Sequence, residues 1–343
     1  MKNFAITCGG TGGHISPGIA VAEQLLREGH QCTLVLSDKN IDRLMLKKYP
    51  NVDFIITRAR PFSKNLIKFL QFGFSQIRSF FFAVHFLRKK KIDCIIGFGG
   101  FTNAPFVLAG FFLRKRIFLH ESNRVVGKSI RILSYFAEKV YLPSGVKFRS
   151  KYLNKKVEHI GYPLRAEFKI FDKVAARESI GTDPLKRLIL VIGGSQGAKI
   201  LTDWAQENYE ILNHHGILVY CITGRFDKKI HGNVFKKFSD NMNVLYNACD
   251  LVVSRAGAGT IAEAMFFNKP MILVPYSYAA GDHQTKNAQY VVKMGQGYLI
   301  PENQINLLTK SVIQVLNTSE HGESRVSMIK ENPVTKIIKD VTK

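Results

Sequence analysis

Residues 4–18 read FAITCGGTGGHISPG: an apolar run, then glycines at 9, 10, 12 and 13, then His14 and a Ser-Pro pair that opens the amphipathic stretch PGIAVAEQLLREG. The apolar run has the length and bounding glycines of a strand, and the stretch after Ser16 has the period of a helix. Glycine lets backbone N–H groups approach a ligand closely, and a helix N-terminus carries partial positive charge. A strand-to-helix handover of this kind therefore suits a phosphate. His14 adds a group able to do proton chemistry beside it.

The same alternation runs outward from this turn. KNFAITC, QCTLVLS, VDFIIT, DCIIGF and RIFLHE are strand-like and are separated by longer amphipathic stretches, which predicts βαβ units and a parallel sheet. From about residue 185 the pattern restarts with KRLILVIGG, ILVYCITG, DLVVSR and PMILVP, and LILVIGGSQGAKILTDWAQEN repeats the plan of the opening turn. Two doubly wound, Rossmann-like domains follow. Gly161 and Pro163 punctuate the boundary, giving a first domain over 1–162, a second over 163–325 and a tail over 326–343 that reads as a helix returning to the first domain. GFGGFTNAP (Gly97 to Pro105) and GGSQGA (Gly193 to Ala198) place further glycine turns after strands. Open α/β sheets bind ligands at that carboxyl edge, so the turns predict an interdomain cleft with several phosphate-handling loops.

Composition narrows the partners. A chain of 343 residues with 46% hydrophobic and 22% charged residues is an ordinary globular protein with room for two cores. Its net charge of +23 favours anionic partners, whether phosphorylated substrates, lipid headgroups or nucleic acid, or else marks a solvated basic surface. No recognised RNA or DNA module accompanies the charge, and there is a single Trp, so no nucleic acid is expected. The five cysteines are odd in number, scattered and without a C-x-x-C pair, as in a reduced cytosolic protein. No secretory signal precedes the glycine turn, and no run of about 18 uninterrupted apolar residues occurs. Between 61 and 91, however, PFSKNLIKFLQFGFSQIRSFFFAVHFLRKKK combines dense phenylalanine with Lys64, Lys68, Arg78 and the Arg88 to Lys91 cluster. Such a stretch is either an interfacial patch for an anionic membrane surface or a set of core helices packed on a sheet.

The opening turn fails the dinucleotide pattern G-x-G-x-x-G. With Gly10 and Gly12 as its first two glycines, Ile15 stands where the third belongs, and Asp38 alone keeps a weak NAD reading alive. No Walker A motif is present. The segment SRAGAGTIAEAMFFNKPMILVPYSYAAGDHQTKNA (Ser254 to Ala288) is richer. Gly257 and Gly259 allow a helix start to approach a ligand, and Glu263, close behind, can accept hydrogen bonds from both vicinal hydroxyls of a ribose.

Taken in order, GGTGGHISPGIAVAEQL, HESN, GYPLR, GGSQGA, SRAGAGTIAEA and GDHQTKNA resemble the MurG family of bacterial cell-wall glycosyltransferases over nearly the whole chain. The resemblance implies a GT-B fold and inverting transfer of N-acetylglucosamine from UDP-N-acetylglucosamine to undecaprenyl-diphosphate-linked muramyl pentapeptide. It also implies no cofactor, no required metal ion and a peripheral position on the cytoplasmic face of the membrane. No D-x-D pair occurs in the chain. By motif position, the resemblance assigns Thr11, Gly12, Gly13, Asn123 and Arg165 to the donor substrate, Ser195 to the diphosphate and Ser239 to the uracil. Ala258, Gly259, Thr260, Ile261, Ala262 and Glu263 fall to the nucleoside and Gln284 to the sugar hydroxyls. His14 is the candidate general base for the acceptor hydroxyl, since imidazole titrates near neutral pH; the alternative is a diphosphate ligand. His120 and Glu121 are possible substitutes or orienting partners. Two positions depart from the family: Ser122 replaces its usual Gln, which bears on an acceptor-side contact, and Tyr162 its usual Asn, which leaves the placing of Arg165 open. The rival readings are another GT-B lipid glycosyltransferase, such as a diacylglycerol sugar transferase, and an NAD-dependent oxidoreductase.

Overall fold

The computed structural model describes residues 1–10, 12–38, 48–63, 65–194, 196–226, 235–318 and 332–343. The chain divides into two compact units, Met1–Ala166 with Glu331–Lys343, and Glu167–Lys330. Both are doubly wound parallel sheets, as the alternation of strand-like and helical stretches predicts.

Among its described residues the first unit has seven strands: β1 (Asn3–Thr7), β2 (Gln31–Ser37), β3 (Asp53–Thr57), β4 (Cys94–Gly97), β5 (Arg116–His120), β6 (Lys139–Leu142) and β7 (Val157–His159). All are parallel, in the order β3-β2-β1-β4-β5-β6-β7. The order reverses between β1 and β4, whose register pairs Thr7 with Gly97. That register sets the two glycine turns, one after each strand, side by side at the switch point. Alternation along β1 sends Phe4, Ile6 and Cys8 into a core with helix α1 (Gly12–Arg27), and Ala5 into the opposite core with helices α2 (Leu66–Lys89) and α3 (Asn103–Phe112).

Helix α2 reverses the usual arrangement. Its buried positions are Ser75, Ser79, Ala83, Phe86 and Leu87, so for most of its length small residues face the body. Leu66, Ile67, Leu70, Phe74, Ile77 and Phe81 are all 60% exposed or more. Two hydroxyls fix the small face: Thr57 Oγ1 donates to Ser79 Oγ at 3.2 Å, and the Arg60 amide donates to Ser75 Oγ at 3.1 Å. Core packing therefore explains few of the phenylalanines in 61–91.

The C-terminal helix α4 (Pro333–Thr342) completes the first unit. Val334, Ile337, Ile338 and Val341 join the α1 core. The Asp340 carboxylate accepts hydrogen bonds from Lys139 Nζ at 2.8 Å and Tyr141 Oη at 3.0 Å, and Lys139 also reaches Glu158 at 2.6 Å. Arg116 donates to the Asp340 and Val341 carbonyls and Lys2 to the Thr342 carbonyl, so cations cap the negative end of the helix dipole.

Among its described residues the second unit has β8 (Arg187–Ile192), β9 (Ile217–Ile222), β10 (Phe235–Lys236), β11 (Leu251–Ser254), β12 (Met271–Leu273) and β13 (Gly297–Leu299). They are parallel in the order β10-β9-β8-β11-β12-β13. This is the first unit's winding, so its switch point lies between β8 and β11. GGSQGA follows the one strand and SRAGAGT the other.

Candidate functional site

In the first unit the imidazole of His14, half-buried in the first turn of α1, lies against the glycine turn that follows β4. A Cβ on Gly100 would stand 3.3 Å from its Nδ1, and one on Gly99 would stand 3.4 Å from its Nε2. Gly100 also has φ +78°, a left-handed conformation that favours glycine. The turn expected to handle phosphate thus forms the floor beneath the imidazole. Hydroxyls hold the surrounding carbonyls: Thr102 Oγ1 donates to Gly9 O at 3.3 Å, Ser129 Oγ to Gly100 O at 3.1 Å and Tyr162 Oη to Gly13 O at 3.3 Å.

Behind this floor, His120 is 1% exposed. Its Nε2 faces the Gly161 carbonyl at 3.3 Å, and its Nδ1 faces Ser122 Oγ at 3.4 Å. A carbonyl only accepts, so Nε2 carries the proton and Nδ1 accepts from the Ser122 hydroxyl. Burial drives the imidazole down to about 4; the Gly161 hydrogen bond opposes that fall and the neighbouring His14 reinforces it. His120 is therefore neutral near pH 7 and orients its neighbours, while His14 presents the half-buried imidazole. Glu121, 6% exposed, accepts from the Asn123 amide and Nδ2, each at 2.9 Å, and from the Gly127 amide at 2.8 Å. It folds the loop that carries Asn123. Arg165 Nη1 donates to Tyr49 Oη at 3.2 Å. Gly12 is buried and Gly13 exposed, and Thr11 lies outside the described residues.

The second unit builds its site from two helix starts. After β8 the backbone at Gly197, with φ +75°, packs so closely on the Thr223 carbonyl that a side chain there would collide with it. Ser195, within this turn, lies outside the described residues. After β11, helix α5 (Ala258–Phe266) follows Gly257, which has no side chain to cap it. The amides of Ala258, Gly259 and Thr260 head the helix at its positive end. Ile261 is buried, and Ala262 and Glu263 follow in partly exposed positions. Glu263 is in the second turn of α5, and its Oε2 accepts a hydrogen bond from Tyr246 Oη at 2.9 Å. Tyr246 is wholly buried and stacks on Phe267 at 5.3 Å, so it is a rigid post for the carboxylate. Gln284 Oε1 accepts from the Tyr276 amide at 2.9 Å, and Ser239 Oγ accepts from the Asn241 amide at 3.2 Å.

The structure thus brings His14, the glycine turns and the HESN loop together in one unit, and Ala258 to Glu263 onto one helix in the other. Sequence reasoning missed the supports: Thr102, Ser129 and Tyr162 in the first unit and Tyr246 in the second. None of these left a signal: the Ser-Pro pair reads as a helix start, whereas α1 begins at Gly12 and encloses Pro17.

Comparison with known proteins places this arrangement. The N-terminal domain model of glycosyltransferase family 28 matches residues 4–142, and the C-terminal domain model matches residues 188–341. A protein of Opitutus terrae named UDP-N-acetylglucosamine–N-acetylmuramyl-(pentapeptide) pyrophosphoryl-undecaprenol N-acetylglucosamine transferase is 38% identical over 332 residues, covering 93% of this chain and 88% of its own. A protein of the same name from Francisella tularensis is 32% identical over 357 residues, covering 99% and 94%. Among solved structures, Acinetobacter baumannii MurG has the same fold, with a TM-score of 0.71 at 22% identity, covering 100% of this chain and 99% of its own.

Proposed function

The chain belongs to glycosyltransferase family 28, and from that premise we infer that it moves N-acetylglucosamine from UDP-N-acetylglucosamine to undecaprenyl-diphospho-N-acetylmuramyl-pentapeptide in peptidoglycan synthesis. The observation that carries this reading is the match, over nearly the full length of both chains, to transferases named for that donor and acceptor. The acceptor nucleophile is the muramyl C4 hydroxyl.

The reaction is one in-line, inverting displacement. The C4 oxygen forms its bond to the anomeric carbon as the bond from that carbon to the β-phosphate oxygen breaks; UDP leaves with the electron pair and the hydroxyl proton passes to His14. In support of that role, His14 is the imidazole partly open to solvent, whereas His120 is buried and neutral. Charge grows on the leaving diphosphate, and fixed N–H donors stabilise growing charge more than they stabilise the ground state. The backbone of GGSQGA with Ser195 and the start of α5 fill that role, without a metal ion. Glu263 takes the ribose hydroxyls, with Ala258, Gly259, Thr260, Ile261 and Ala262 lining the nucleoside; Ser239 faces the uracil and Gln284 the sugar. Thr11, Gly12, Gly13, Asn123 and Arg165 complete the substrate contacts.

The acceptor diphosphate sits at a bilayer surface, so the enzyme must work there. Among the described residues no helix is long and apolar enough to cross a membrane. The outward face of α2 supplies a peripheral alternative, since its exposed Leu66, Ile67, Leu70, Phe74, Ile77 and Phe81 stand beside Lys68, Arg78, Arg88 and Lys89. Rings and aliphatic chains enter the headgroup boundary while cations meet anionic lipid on the cytoplasmic face.

Purified protein incubated with UDP-N-acetylglucosamine and a short-chain lipid-linked muramyl pentapeptide, without added metal, should release UDP and form the lipid-linked disaccharide, seen by product mass. UDP release with diacylglycerol in place of that acceptor, and none with the muramyl lipid, would overturn the assignment.

A further inference from the structure

Pro17 lies inside α1, four residues after Gly13. In an α-helix the carbonyl of residue 13 takes the amide proton of residue 17, and proline has no such proton. The sequence therefore strips an intrahelical hydrogen bond from the peptide that precedes His14. Gly12 and Gly13 make that same turn the most freely deformable in the helix. A general base must be held close to its productive geometry, so a turn weakened in this way needs an external tether.

The tether comes from 149 residues further on. Tyr162 Oη donates to the Gly13 carbonyl at 3.3 Å, and the tyrosine is only 9% exposed. Its own backbone is tied down one residue earlier, where the Gly161 carbonyl accepts from His120 Nε2. Ser122 in turn donates to His120 Nδ1 and keeps the imidazole in the tautomer that this bond requires. Ser122 and Tyr162 thus belong to one support. We propose that Tyr162 is a positioning residue for the transfer reaction: its hydroxyl supplies the proton that Pro17 cannot, and so fixes the Gly13–His14 peptide and the imidazole over Gly99 and Gly100. The proposal rests on the reading of His14 as general base.

The test is a set of variants assayed with UDP-N-acetylglucosamine and the short-chain muramyl lipid. Tyr162→Phe keeps the ring and removes the donor, and should lower kcat about threefold to tenfold, the worth of one hydrogen bond, with KM for UDP-N-acetylglucosamine unchanged. In a His14→Ala background the same change should have no further effect. Pro17→Ala restores an amide proton within the helix, so Pro17→Ala combined with Tyr162→Phe should regain most of the lost kcat. An unchanged kcat in Tyr162→Phe would overturn the proposal, as would an equal loss without His14 or no recovery when Pro17→Ala is added. Should Pro17→Ala fail to fold, the His14→Ala background still decides. If His14→Ala lowers kcat and Tyr162→Phe does not, this proposal alone falls. If His14→Ala leaves kcat unchanged, the general-base reading falls and takes the proposal with it.

Discussion

The two units wind their strands in the same order and place glycine turns at the same switch point, yet they arm those turns differently. In the first unit a titratable imidazole stands in the opening turn of α1, propped on a second glycine turn and backed by a neutral His120. In the second, the start of α5 presents backbone amides, and its carboxylate waits in the second turn, held by Tyr246. On the proposed reading one site takes up a proton and the other holds a nucleotide, and these tasks need opposite equipment. Shared topology supplies the cradle, and a few side chains around it divide the labour.

That division makes the largest prediction. His14→Ala should lower kcat about a hundredfold to ten-thousandfold while leaving UDP affinity unchanged in a calorimetric titration. A loss of UDP binding would break the comparison, because it would make the imidazole itself part of donor recognition. Next in size, Glu263→Gln should raise KM for UDP-N-acetylglucosamine about tenfold to a hundredfold, as expected when a charged acceptor of hydroxyl hydrogen bonds is neutralised. The same kcat at saturating donor would sharpen the comparison; a collapse of kcat at every donor concentration would contradict it.

Much of this was legible because the strands at each switch point are short apolar runs that lead into glycine-containing turns. KNFAITC, DCIIGF, KRLILVIGG and DLVVSR all contain observed strands. The short late strands were not legible: β6, β7 and β13 have three or four residues each, and Val157–His159 is too short and polar to announce itself without the neighbour it pairs with. At the site, His14 stands out by residue type and position. Its supports do not, because Tyr162 and Gly13 meet only once the chain has folded. Nor did Pro17 announce them, because the Ser-Pro pair reads as the start of a helix and the helix in fact begins at Gly12. Likewise the apolar face of the C-terminal stretch says that it packs somewhere, and only the fold pairs Asp340 with Lys139 and Tyr141.

The surfaces extend the contrast. Both units have helices over their sheets, but α2 of the first turns large apolar side chains outward and small ones inward. If that face meets lipid, Phe74→Ser and Phe81→Ser should each weaken binding to anionic vesicles about tenfold, taking the low end of the worth of a buried ring. Rising salt should release the wild-type protein as cationic contacts are screened. Both variants should keep their far-ultraviolet circular dichroism, since the replaced rings cover little of the core. Equal binding to neutral vesicles at any salt would remove the electrostatic half of the reading, and unaltered binding by both serine variants would remove the apolar half.

The smallest effect belongs to the helix that only the first unit borrows from the chain's end. Burial alone would raise the Asp340 carboxyl, but hydrogen bonds from Lys139 and Tyr141 hold it below its ordinary range; Glu158 is lowered against burial by Lys139 and Lys336 in the same way. A carboxyl lowered in the folded state adds stability above its unfolded value near 4, and loses that contribution as the pH falls through the folded value. The clamp on α4 should therefore loosen below about pH 4 and be intact at neutrality. Asp340→Asn should cost the first unit about 1–3 kcal/mol, lowering its thermal midpoint by a few degrees, and should flatten this acid limb while kcat at 25 °C stays unchanged. An equal shift in the melting of the second unit would mean that α4 supports more than the sheet on which it lies. The two units would then no longer be separable in stability, although they remain distinct in chemistry.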